Sequence, residues 1–82
     1  MYIKVLGPGC TKCKKLEQMT REMVAELGLD AEVQKIEDIQ TIMAYGIMAT
    51  PGLVIDEKLI FSGYLPGKNE LRKILETAKD TN

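Results

Sequence analysis

The stretch that most limits what this chain can fold into runs from Tyr2 to Gly28. It opens with the apolar run "YIKVLG" (2–7), closed by Gly7-Pro8-Gly9, which reads as a buried strand followed by a turn. From Thr11 to Leu27 the apolar residues Leu16, Met19, Met23, Val24 and Leu27 recur at spacings of three and four, and Gly28 stands where a left-handed cap belongs. That pattern predicts an amphipathic helix of about four to five turns. A strand that feeds a helix and then a second strand needs a right-handed crossover, so the chain is committed early to a parallel strand pair.

The rest of the chain extends the plan. "AEVQKI" (31–36) is β-branched but polar and suits a strand at or near a sheet edge. Residues 38–45 predict a short helix capped by Asp38 and ended by Gly46, with Ile39, Ile42 and Met43 on one face. "GLVID" (52–56) and "LIFSG" (59–63), separated by Glu57-Lys58, predict an antiparallel hairpin. The closing segment predicts a helix over 67–79, with Gly67 at its start, Glu70 near its positive end, and Leu71, Ile74, Leu75 and Ala78 on one face. The order β-α-β-α-β-β-α defines an α/β fold with a mixed four-stranded sheet. At 82 residues, residues 1–82 form one domain, which buries only roughly 60–65% of the surface of its unfolded chain. With no Trp and a single Phe, the core must be aliphatic.

Charge narrows the partners. A formal net charge of −1 without a basic stripe lacks the long-range attraction that nucleic acid or an anionic membrane requires. No apolar run approaches the ~18–20 residues that span a bilayer, and Met1 leads into "YIKVLG" without a signal-peptide pattern. The expectation is a cytoplasmic protein, and the small size favours a monomer.

Both cysteines lie in "LGPGCTKCKK" (6–15). A tight pair in a reducing compartment points to catalysis or metal binding rather than to a disulfide framework. Helical spacing separates them by role. Cys13 falls three residues before Leu16, near the buried stripe, while Cys10 stands at the helix entrance, where unpaired N–H groups and the dipole favour a thiolate. Lys12, Lys14 and Lys15 add positive charge, and Lys12 is the candidate for tuning the Cys10 thiol. Lowering a thiol pKa from ~8.5 to ~7 raises its thiolate fraction at neutral pH about 16-fold and costs about 5- to 6-fold in nucleophilicity. The net gain in attack is about threefold.

Other uses of the pair carry less weight. A disulfide closing so short a loop removes only about 2 kcal/mol of unfolded-chain entropy, so a bracing role contributes little. A closed zinc site wants four Cys or His ligands, and the chain has two Cys and no His. A soft-metal carrier of the copper type, binding through the Cys-x-x-Cys pair, is the main alternative function. A redox-regulated interaction protein and an iron–sulfur carrier shared between chains are further alternatives.

Cys10-Thr11-Lys12-Cys13 after a first strand, the order of elements, and Ala49-Thr50-Pro51 ahead of the hairpin together resemble the thioredoxin fold. The chain is most similar to the small thioredoxin-like and glutaredoxin-like redox-active disulfide proteins, which lack thioredoxin's N-terminal strand and helix. The resemblance covers nearly the whole chain. It implies a dithiol-disulfide oxidoreductase with Cys10 and Cys13 as catalytic residues and no cofactor or bound metal. It implies a cis Thr50–Pro51 bond at which Thr50 and Pro51 help to bind substrate. It also implies disulfide substrates and a reductase that restores the dithiol. Gly9 stands where thioredoxins carry Trp, and Thr11-Lys12 replaces Gly-Pro. The first strand offers no carboxylate to match thioredoxin's buried proton acceptor; Lys4 is its one ionisable side chain besides Tyr2. Tyr45 and Ile47 are further candidates for the substrate surface, with core packing the competing role for Ile47.

Overall fold

The computed structural model describes residues 1–80. Seven elements follow the predicted order: β1 (Tyr2–Leu6), α1 (Thr11–Leu27), β2 (Glu32–Ile36), α2 (Ile39–Ala44), β3 (Gly52–Ile55), β4 (Lys58–Ser62) and α3 (Lys68–Asp80). The sheet runs β2-β1-β3-β4. β1 pairs parallel with β2 and antiparallel with β3, and β3 pairs antiparallel with β4. The parallel pair is the one that the strand–helix–strand pattern demands.

Alternation along the central strands divides the core between the two sheet faces. Ile3 and Val5 of β1 with Leu53 and Ile55 of β3 meet Leu16 and Met23 of α1 and Leu71 and Leu75 of α3. Leu6 and Val54 instead meet Ile42 of α2 and Ile47 beyond it. Helices α1 and α3 therefore cover one face and α2 the other. Gly28, with φ of 64°, ends α1 as expected.

One reading needs correction. The hairpin turn is Asp56-Glu57, one residue earlier than the expected Glu57-Lys58, and both residues have positive φ (48° and 68°). That combination is the two-residue type I′ geometry that normally calls for Gly or Asn. Contacts far along the chain hold it here. Asp56 accepts from the Tyr2 N–H at 2.7 Å and returns its own N–H to the Tyr2 carbonyl at 2.8 Å. Lys4 Nζ donates to Glu57 Oε1 at 2.5 Å and to the Tyr45 hydroxyl at 2.9 Å. The Glu57 bond first, and the Tyr45 bond second, hold Lys4 above the usual lysine range; the same Lys4 bond holds Glu57 below the usual carboxylate range.

The α2 helix forms where expected, with Asp38 before it. Only Ile42 of its apolar face is buried; Ile39 is 52% exposed and Met43 65% exposed. Six residues on one side of a sheet present too little surface to seal three apolar side chains, and the two outer ones are left to a groove described below.

Asp38 caps α2 as expected, accepting from the Thr41 N–H at 2.9 Å and the Thr41 hydroxyl at 2.7 Å. The hydroxyl bond first and the backbone bond second lower its pKa from the ordinary carboxylate value. A depressed folded-state pKa stabilises the fold above the unfolded-state value, and that stability is lost as pH falls through the folded-state value. Acidification through and below the usual carboxylate range should therefore lower the thermal midpoint. Asn caps well without titrating, so Asp38→Asn should show a flatter acid limb in a thermal-melt series. Identical acid limbs would show that the cap contributes nothing to the pH dependence.

Candidate functional site

The site is assembled where β1 hands the chain to α1. Cys10 is the N-cap of α1: its backbone is extended, and its Sγ accepts from the Cys13 N–H at 3.2 Å. One of the helix's orphan donors is thereby aimed at the Cys10 sulfur, which favours negative charge there. No acidic residue lies in the first turn. Cys10 is exposed and Cys13 is 2% exposed, the division that helical spacing predicted. The two form a disulfide with Cα atoms 5.0 Å apart.

Cys13 can lie so deep because Gly7 lies beneath it. A Cβ on Gly7 would run into both Sγ and Cβ of Cys13. Gly7 is itself fixed by its N–H bond to the Ile36 carbonyl at 2.9 Å, which extends the β1–β2 pairing one residue past the strand.

The Thr50–Pro51 peptide is cis, with Pro51 buried and Thr50 half-buried. Pro8, two residues before Cys10, and Thr50 line one groove of about 320 Å³ together with Ile39, Met43, Met48 and Ala49. Met48 is fully exposed. Ile47 both walls this groove and fills the α2-side core, whereas Tyr45 is absent from the groove and bonds Lys4. Lys12 makes no ion pair or hydrogen bond among the described residues, so no contact ties it to the sulfurs.

Gly63 completes the neighbourhood, and sequence reasoning missed it. Its N–H donates to the Pro51 carbonyl at 2.9 Å, its φ is 89°, and a Cβ there would sit 3.4 Å from that of Ala49. The signal was only a glycine closing an apolar run. A larger groove of about 430 Å³, lined by Ile55, Lys58, Ile60, Lys73 and Ile74 among others, lies between β4 and α3. None of its lining residues belongs to the cysteine loop or to the Thr50–Pro51 turn. Among the described residues, no three His, Cys, Asp or Glu side chains are grouped to hold a metal ion.

An exposed helix-capping sulfur bonded to a buried partner, with a cis-proline turn whose Thr50 shares a groove with Pro8 of the preceding loop, on a four-stranded mixed sheet, defines a thioredoxin-type redox protein. The family comparison agrees, with the thioredoxin domain matching residues 1–76, and the chain belongs to that family. It is 44% identical over 75 residues to a thioredoxin of Methanothermobacter thermautotrophicus, covering 92% of this chain and 97% of the relative. It is 33% identical over 77 residues to a thioredoxin of Methanocaldococcus jannaschii, covering 94% of this chain and 88% of the relative. The chain is a thiol–disulfide oxidoreductase, and the comparisons give the metal-carrier alternative no support.

Proposed function

We propose that Cys10 is the attacking sulfur, Cys13 the resolving one, and Thr50 with Pro51 the edge that receives the substrate chain. In the reduced protein the Cys10 thiolate attacks one sulfur of a substrate disulfide; that bond breaks, a mixed disulfide forms, and the other substrate sulfur leaves as a thiolate that takes a proton from water. Cys13, having lost its proton, then attacks Cys10 Sγ. The second substrate thiolate departs, the Cys10–Cys13 bond forms, and two electrons have passed to the substrate. A reductase must return them.

The observation that carries this reading is the contrast in accessibility: an open Cys10 with a helix N–H on its sulfur, and a sealed Cys13 bonded to it. The apolar groove continuous with Thr50 supports a substrate that presents an extended, apolar segment beside its disulfide. Its two exposed methionines suit varied side chains, because a thioether chain adapts its shape at little cost. No helix among the described residues is long and apolar enough to cross a membrane; a cytoplasmic setting is part of the proposed reading. Lys12 is proposed to aid the thiolate only through long-range charge, an effect that salt should reduce.

Limited alkylation of the reduced protein across a pH series tests the assignment. Cys10 should be modified well before Cys13, with an apparent pKa below the ~8.5 of a free thiol. Equal modification of both, or a Cys10 value at or above that of a free thiol, would contradict it.

A further inference from the structure

The first strand supplies no carboxylate to the cysteine loop, but another element does. Glu37, on the link between β2 and α2, places Oε2 3.2 Å from where a Cβ on Gly9 would lie. Gly9 directly precedes Cys10 and has φ of 94°. The backbone at this position is therefore bare, and the Glu37 carboxylate packs against it. Pairing explains the placement: the Leu6–Ile36 register and the Gly7 N–H bond to the Ile36 carbonyl bring residue 37 alongside the loop.

Glu37 is paired. Lys35 Nζ lies 3.6 Å from Glu37 Oε1 and 4.0 Å from Glu17 Oε1. Glu17, one turn beyond Cys13 on α1, also holds Arg21 Nε at 3.0 Å. Asp38 is taken up by Thr41 at the cap of α2. Lys12, Lys14 and Lys15 on α1 have no ion-pair partner among the described residues. Of the charges around the loop, Glu37 is thus the carboxylate laid against its backbone, and Lys35 is the cation held against Glu37.

We propose that Glu37 and Lys35 set the redox potential of the Cys10–Cys13 couple, Glu37 making it more reducing and Lys35 tempering that effect. The inference rests on Cys10 being the thiolate of the reduced protein. The disulfide is uncharged, whereas the reduced form carries a negative charge on Cys10. A neighbouring carboxylate therefore destabilises the reduced form alone, and a neighbouring ammonium stabilises it. Both are positioning residues that act through the field at the sulfur. Glu37 is 52% and Lys35 35% exposed, so solvent limits the effect. Before salt screening, Coulomb's law in a solvent-like dielectric for charges roughly 8–10 Å apart gives a change of about 2.0- to 2.4-fold in the exchange equilibrium constant, or about 9–11 mV for a two-electron couple, and screening at one Debye length cuts the energy to about a third.

The test equilibrates wild type, Glu37→Gln and Lys35→Met with mixtures of reduced and oxidised dithiothreitol in mildly alkaline buffer. Glu37→Gln should shift the potential toward oxidising and Lys35→Met toward reducing, and high salt should shrink both shifts. A merely structural ion pair would loosen the loop in either variant and move both the same way; that result, shifts indifferent to salt, or no shifts would overturn the proposal. Alkylation mapped on the same samples separates the causes of failure. Loss of Cys10 selectivity in the wild type overturns the nucleophile assignment and this inference with it. Retained selectivity without opposed shifts overturns this inference alone.

Discussion

Cys10→Ser is expected to reduce a protein disulfide no faster than dithiothreitol alone, whereas Cys13→Ser should complete the first exchange and stop. The asymmetry follows from position. Cys10 is the exposed sulfur, and it carries the Cys13 N–H bond that favours the anion. A serine hydroxyl keeps the cap but does not ionise near neutral pH, so the nucleophile is lost while the fold is kept. Cys13 is 2% exposed and cannot reach an external disulfide, so its loss leaves the first step intact. The variant should accumulate a mixed disulfide whenever dithiothreitol is limiting. Turnover measured with limiting and excess dithiothreitol distinguishes the two, because excess reductant can resolve the Cys13→Ser intermediate from outside but cannot supply the missing Cys10. Wild-type turnover by Cys10→Ser would sink the assignment.

Gly7→Ala is expected to be the most damaging single-methyl change near the site. The added Cβ would overlap Sγ and Cβ of Cys13. Neither side can yield easily: Gly7 is bonded to Ile36 in the sheet, and Cys13 is held in α1 by the packing of fully buried Leu16 and nearly buried Met23. The cost should lie near the top of the overpacking range, about 3 kcal/mol. For a chain of this size that is a large share of total stability, and it lowers a urea midpoint by roughly 3 M at a slope of about 1 kcal/mol/M. Gly28→Ala provides the control. Its φ is 64° but a Cβ there meets nothing within 4 Å, so only the left-handed backbone penalty of about 1 kcal/mol applies. Equal midpoints for the two variants would show that the Cys13 contact does not matter.

Much of this was legible in the residues, for identifiable reasons. The ends of α1 followed from the helical spacing of Leu16, Met23 and Leu27 and from Gly28, all local signals. The division between Cys10 and Cys13 followed from the same spacing. The cis bond at Thr50–Pro51 did not; composition gives no sign of it, and it came from likeness to a family. The turn was misplaced because Asp56 and Glu57 are held at positive φ by Tyr2 and Lys4, partners more than fifty positions away that no local pattern reveals. Ile39 and Met43 carried a true helical period, but period alone does not distinguish a face sealed in the core from one that borders a groove. Glu37 was invisible as a neighbour of the cysteine loop because strand pairing, not sequence distance, brings it there.

The exchange mechanism turns on which sulfur meets the substrate. Cys13→Ser protein can be mixed with a disulfide-bonded peptide, quenched with acid and digested, and the cross-linked fragment located by mass spectrometry. Peptide attached at Cys10, with none captured by Cys10→Ser protein under the same conditions, is the predicted result. Capture of peptide at Cys13 by the Cys10→Ser protein at a comparable rate would contradict it.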